Sequence, residues 1–424
     1  MRVAVALALL TGVTACRSSG DGGGSRTITV NAFAGDQPEG GATVIGHAPD
    51  GSVIDQTTAD AVGQATISVD ADSLVSVIFP GNIGALTPVI SVVTVAAEAD
   101  TLSIYGPRYG GPPPLIVGAL QVDAPNLNAA DYFDIHIGCA TTRVQQLPAT
   151  IDVGACSMGS DTKLDVLLTG SHDVGSDPPA PQLDGYAAAR VDMVNGLATF
   201  TAPAWQTTGP SVPVTLDGVM PLVMVEPLSD GLSFGAQQAT DHATLWTGLV
   251  VDATRITASL AGINAARVTT REVAGAPTAI NFGTSDFLPP IDVTAALTLS
   301  TTTLTWDPNS IGDTVNMHAT WDVDSSVAAA VPTGPHRVIW DAVLPPDATD
   351  VTLPVLAGDL GVAINPKDIA PVDIVVRYID ADGADGFAGL LAAGVHAEDT
   401  LQASTIAPRP TDGEIRVSHA IGLR

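Results

Sequence analysis

From Ser73 to Ala97 the chain runs for 25 residues without a charged side chain. A stretch of that length can cross a bilayer as a helix, which needs about 20 apolar residues, or fold back on itself as strands. Pro80-Gly81-Asn82, Gly84 and Pro88 interrupt it, and its apolar residues are largely Val and Ile. Proline and glycine break a helix, and β-branched side chains suit a pleated surface. Two strands around a turn are therefore expected here, not a membrane helix.

The same grammar of short apolar runs cut by turns recurs along the whole chain. Glycine and proline number 42 and 31, well above their usual ~12% combined share. The expected fold class is all-β, a tandem of Ig-like or transthyretin-like β-sandwich domains. Three blocks are expected after the leader: residues 26–105, 106–225 and 226–424. Pro112-Pro113-Pro114 opens the second block as a stiff linker. Asp177-Pro178-Pro179-Ala180-Pro181 reads as a surface loop within it. The blocks should follow one another as beads on a string. Only Gly386 to Val395 has a helical look, and its glycines weaken a helix.

Charge excludes one class of partner. Lys and Arg total 16 against 45 Asp and Glu, a net −29. Such a surface repels phosphate backbones, so no nucleic-acid partner is expected. It suits solubility, a divalent cation or a cationic partner.

At the N-terminus, Met1-Arg2 precedes eight apolar residues, Val3 to Leu10. That run is too short to span a bilayer and suits a secretory signal. Val13-Thr14-Ala15-Cys16 then resembles the bacterial lipobox. The resemblance implies cleavage after residue 15 and acylation of Cys16. Acyl chains contribute about 0.8 kcal/mol per buried CH₂, enough together for stable anchoring. Residues 16–25 then form a lipidated Cys and a flexible Gly/Ser tether. Arg17, where Asp would imply inner-membrane retention, favours the outer membrane. The expected membrane contact is thus through the N-terminal lipid, with the protein in the cell envelope.

Cys139 and Cys156 remain. An even pair in an oxidising compartment reads as a disulfide. The alternatives are a metal site or a catalytic thiol, but the chain has no CxxC, and no His or second Cys clusters near either residue in a way that would converge on a metal. A bridge over so short a loop would add on the order of 3 kcal/mol.

Residues 26–105 are also similar to carboxypeptidase regulatory-like, transthyretin-like domains. The similarity rests on Glu39-Gly40-Gly41-Ala42-Thr43-Val44, Asp50-Gly51-Ser52-Val53 and Thr58 to Ile67. It implies a non-catalytic accessory module, and the seven short strand-like runs in these residues suggest a sandwich by themselves. Asp50-Gly51 is a hairpin signal. Asp60 to Gly63 makes the next turn, and Ala65 and Ile67 should alternate inward.

No HExxH, GxSxG, SxxK, phosphate loop or dinucleotide fingerprint is present, and the eight histidines form no HxH or HxxxH pair. The chain therefore reads as a non-enzyme with no required cofactor. Asp380, Asp382 and Asp385 make the densest carboxylate loop. They are a weak calcium candidate, because EF-hand spacing fails at Ala384 and Asp385 and no closing Glu follows. Trp306-Asp307, Trp321-Asp322 and Trp340-Asp341 repeat a pair. The expected account is a strand ending on a core Trp and leaving through a turn Asp; the alternative is sugar binding on exposed indoles. In Val315 to Trp321, Val315, Met317, Ala319 and Trp321 share one face, and Asn316, His318 and Thr320 take the other. The favoured function is a structural or binding lipoprotein that contacts an envelope protein or a glycan. The alternatives are a calcium- or carbohydrate-binding module and an enzyme with an unrecognised site.

Overall fold

The computed structural model describes residues 25–421, leaving out 35–36, 84–86, 107–115, 126, 139, 155–162, 175–179, 203, 208, 210, 230–231, 234–236, 247–250, 263–264, 291–297, 301–302, 307–311, 324–335, 353–372, 383 and 397–413. Cys16, Cys139 and Cys156, the proline linker at 112–114 and most of the expected loop at 177–181 lie outside the described residues.

The fold is all-β and built of several packed sheets, with one described α-helix, Gly386–Ala393. The uncharged stretch is the hairpin of Leu74–Ile83 and Thr87–Ala96, paired antiparallel from Leu74↔Ala96 to Ile83↔Thr87. Its lack of charge has a structural cause. Val75, Val77 and Phe79 face one core, while Ile78, Ile90 and Val92 face another. A strand buried on both faces has no side left for charges.

The first block is a two-layer sandwich. Arg26–Ala34 lies between Gln64–Val69 and Thr101–Gly106 in one sheet. Thr43–His47 lies between Val53–Thr58 and Leu74–Ile83 in the other. Val30, Ile67 and Leu102 meet Val44 and Val77 between the layers. The expected turns are in place. Asp50 Oδ1 accepts from the N–H of Ser52 at 3.0 Å, and Gly51 has φ 82°. Gly63 has φ 75°, and a Cβ there would stand 2.5 Å from the carbonyl oxygen of Ala32. Ala65 and Ile67 point inward, as their alternation requires.

The second sandwich packs Tyr132–Ile137, Lys163–Val174 and their neighbours against Ile116–Asp123, Ala149–Gly154 and Leu197–Thr201. Its own core includes Leu120, Ile135, Val166 and Phe200. A further sandwich starts at Ser211–Asp217, which pairs in parallel with Ile280–Gly283. It faces Leu222–Ser229 and the hairpin of Ala253–Gly262 and Ala265–Ala274. The expected boundary at 225/226 falls inside Leu222–Ser229. Strands 211–229 thus pack with the residues that follow them, not with the second block.

The beads-on-a-string order does not describe these sheets. One 13-stranded sheet runs from the third sandwich to the first. Ala265–Ala274 pairs with Glu414–Ile421, which pairs with Asp373–Ala381. Thr314–Val323 and His336–Leu344 follow. His336–Leu344 then pairs in parallel with Thr87–Ala96 of the first block. Val395–His396 also joins the Thr101–Gly106 edge, and Phe387, Leu390 and Leu391 of the helix enter the first block's core. A run of Val and Ile exposed on the edge of an isolated first sandwich would be a sticky strand. Pairing it with His336–Leu344 removes that edge.

Candidate functional site

The middle strands of the large sheet carry an unusual set of buried polar groups. The face with Val315, Met317 and Ala319 is apolar, as expected, and packs against Leu304, Trp306 and Val351 of a small three-stranded sheet. The opposite face is buried as well, with Asn316, His318, Asp341 and Arg377 all in the interior. This differs from the pattern of one dry and one wet face. The strand is central, so its polar residues are covered too and must find partners inside.

They do so across strands. His318 stands opposite Asp341 in the register, and its Nδ1 lies 2.9 Å from Asp341 Oδ1. The carboxylate fixes the tautomer, with the proton on Nδ1. Nε2 is then left to accept from the Thr320 hydroxyl at 3.3 Å. Arg377 Nη1 donates to Asn316 Oδ1 at 3.1 Å across the other pairing. On the apolar face, Trp340 Nε1 donates to Thr94 Oγ1 at 2.8 Å, and Thr94 meets Ser76 at 2.8 Å.

Hydroxyl, imidazole and carboxylate in that order is the arrangement used to activate a nucleophile. Here the His318 and Asp341 side chains are 8% and 2% exposed. The chemistry such a row performs while covered is to satisfy buried groups and fix register, because a one-residue slip would strand every one of them. No short sequence motif marks it. His318 and Asp341 are 23 residues apart, and only pairing brings them together.

The carboxylate loop lies at the end of the same strands. Asp380 pairs with Arg416. Asp382 Oδ2 accepts from the N–H of Glu414 at 3.2 Å. Asp385 is the N-cap residue of the helix, and its side chain makes no capping hydrogen bond. Sequence inspection missed Asp313, whose Oδ2 accepts from the N–H of Ala381 at 2.8 Å. Burial pushes its carboxyl above the usual carboxylate range; the Ala381 N–H opposes this, and Asp380 and Asp382 add to the rise. Among the described residues, no three His, Cys, Asp or Glu side chains gather as a metal-holding group.

No protein-family model matches the sequence, and no curated protein is similar to it in sequence. Among solved structures the chain is similar to the Bacillus anthracis TIE protein, at 10% identity and a TM-score of 0.14, over 61% of this chain and 50% of that one. It is also similar to the pilus adhesin SpaC from Lactobacillus rhamnosus GG, at 10% identity and a TM-score of 0.15, over 79% of this chain and 44% of that one. The chain spans half or less of each of those structures. Likeness at this level carries no argument about what the protein does.

The tryptophans answer part of the sugar-platform question. Trp306 and Trp340 are 4% and 1% exposed. Trp306 Nε1 donates to the carbonyl of Ala348 at 2.9 Å. The Trp321 side chain lies outside the described residues. Asp341 corrects the expected pattern: it is a buried partner of His318 in mid-strand, not an exit turn. Among the described residues, no helix is long and apolar enough to cross a membrane.

Proposed function

We propose that this chain is a lipid-anchored protein of the cell envelope with a structural and binding role, holding β-sandwiches for contact with another envelope protein or a glycan. The observation that carries the reading is the continuous 13-stranded sheet, which hydrogen-bonds the first block to the last strands of the chain. Such a sheet opposes separation of its ends, which suits a protein that holds surfaces in place. The two-layer packing and turn residues of 26–106 support the carboxypeptidase regulatory-like reading of the first block. The lipobox at Val13-Thr14-Ala15-Cys16 supplies the anchor, with Arg17 favouring the outer membrane. A Cys139–Cys156 bridge belongs to the same exported setting. Calcium at Asp380, Asp382 and Asp385 is the weaker alternative, since Arg416 already meets the charge of Asp380.

One experiment tests anchor and bridge together. Cys16→Ala should move the protein from the membrane fraction to the soluble fraction. The released variant keeps two cysteines, and thiol labelling after denaturation without reductant should find neither free. Persistence in the membrane would remove the anchor from the proposal, and two free thiols would remove the bridge.

A further inference from the structure

In the first sandwich, the sheet built around Arg26–Ala34 turns one face to the core and the other to solvent. Ile28, Val30, Ile67 and Leu102 point inward and are buried. The alternate side chains point outward and stand in rows across three strands. Thr29 lies opposite Thr66 on one side and Thr101 on the other. Asn31 lies likewise between Gln64 and Ser103, and Gln64 Nε2 donates to Asn31 Oδ1 at 3.2 Å. Thr27 stands opposite Ser68. At the end of the face Phe33 stacks on Tyr105, with ring centres 4.7 Å apart and planes 13° from parallel. Thr27, Gln64, Thr66 and Thr101 are exposed, and the others are half-buried.

These rows hold no charge, in a chain with 45 acidic residues. Across Arg26–Ala34, Gln64–Val69 and Thr101–Gly106 the charged residue is Arg26, at the margin, and it pairs with Asp100 at 2.8 Å. Other sheets differ. The hairpin of Ala253–Gly262 and Ala265–Ala274 carries Arg255, Arg267, Arg271 and Glu272, and Lys163–Val174 carries Lys163, Asp165 and Asp173.

An uncharged face offers a charged partner no match for the charges it would desolvate. A protein partner leans on a core of large apolar side chains, and here these are confined to the Phe33–Tyr105 end. What the rest of the face supplies is hydroxyls, which both donate and accept, and amides, which do the same. A ligand that is neutral and itself dense in hydroxyls matches both properties. The strand rise of about 3.4 Å and strand spacing of about 4.8 Å make the face about 20 Å long and 10 Å wide, room for a run of sugars.

We propose that the outer face of this sheet binds an uncharged polysaccharide, with the Thr, Ser, Asn and Gln rows meeting its hydroxyls and the aromatic end meeting the C–H side of a sugar ring. This rests on the glycan-contact reading above and narrows it to a neutral glycan and one surface.

The test is native electrophoresis of the full chain in detergent, through gels containing dextran, mannan, xylan, galactan or the anionic polygalacturonate. At least one neutral polysaccharide should retard the protein, with a Kd on the order of a millimolar, and polygalacturonate should not. Thr66→Ala with Thr101→Ala removes two exposed hydroxyls flanking Thr29 and should weaken the retardation about tenfold. Gln64→Ala, also exposed, should weaken it less, and it decides the matter if the double variant fails to fold. Retardation that both folded variants keep in full overturns this face and leaves glycan contact standing. Retardation by polygalacturonate alone overturns the neutral glycan and this face with it, again leaving glycan contact standing. No retardation in any gel overturns both this proposal and the glycan reading. A dimer of the wild type that the same variants dissolve would make the face a contact between two copies and overturn the polysaccharide.

Discussion

Single residues in this protein are often decided by what covers them. His47 lies fully inside, near the start of a turn, and burial pushes its imidazole down to about 4, the backbone of Gly51 acting against the shift. The unfolded chain takes up a proton on this residue below pH 6.5, and the folded chain does not until about pH 4. The stability that depends on neutral His47 is therefore complete above pH 6.5 and is lost as pH falls toward 4. At 1.36 kcal/mol per unit, the loss amounts to about 2–3 kcal/mol by pH 4.5. His47→Leu should remove that part of the acid sensitivity. Urea denaturation of wild type and variant at pH 7.5 and 4.5 checks it; an equal loss of stability in both proteins would refute the assignment. The histidine was visible in the sequence, but not its burial. Asp341 makes the same point, since next to a tryptophan it reads as a turn residue, and only pairing with His318 makes it interior.

At the scale of elements, the strands with strict alternation or β-branched runs were legible. The strands Leu74–Ile83 and Thr87–Ala96 fall where the uncharged stretch places them, and the Gly386–Ala393 helix lies within the run from Gly386 to Val395 that looks helical. The hairpin of Ala253–Gly262 and Ala265–Ala274 was not legible, because Arg255, Arg267, Arg271 and Glu272 dilute its apolar period. Those charges have partners that a sequence cannot show. Arg271 pairs with Glu414 and, at 2.6 Å, with Asp286, and it donates to the carbonyl of Asn281 at 2.7 Å. Glu414 also lies 3.5 Å from Arg416, which pairs with Asp380. This chain of charges joins the third sandwich to the strand Glu414–Ile421. Glu414→Gln should cost on the order of 1–3 kcal/mol, because it leaves two half-buried guanidiniums short of a partner. Asp100→Asn breaks only the exposed Arg26–Asp100 pair and should cost under about 1 kcal/mol. Thermal midpoints of the two variants should differ clearly, and equal shifts would count against a joining role for Glu414.

For the whole molecule, the decisive feature is that residues 26–106 share a sheet and a core with residues 298–421. Trp340 sits at that union, packed with Ile90 and Val92 and bonded to Thr94, 246 residues away in sequence. Trp340→Ala should destabilise by about 3–5 kcal/mol. Amide exchange should then quicken in Thr87–Ala96 and Thr101–Gly106 together with Thr314–Val323, while the second sandwich, with its own core, stays protected. Loss of protection confined to the last block would mean that the blocks are independent beads after all. The all-β class, most strand positions and the turns were written in the amino-acid order, because these follow from side-chain period and from the few residues that tolerate positive φ. Which strands pair, which polar groups are buried and where one sandwich ends were settled by packing in three dimensions. Those depend on contacts between residues hundreds of positions apart, and strand patterns of the same period give many pairings the same local signal.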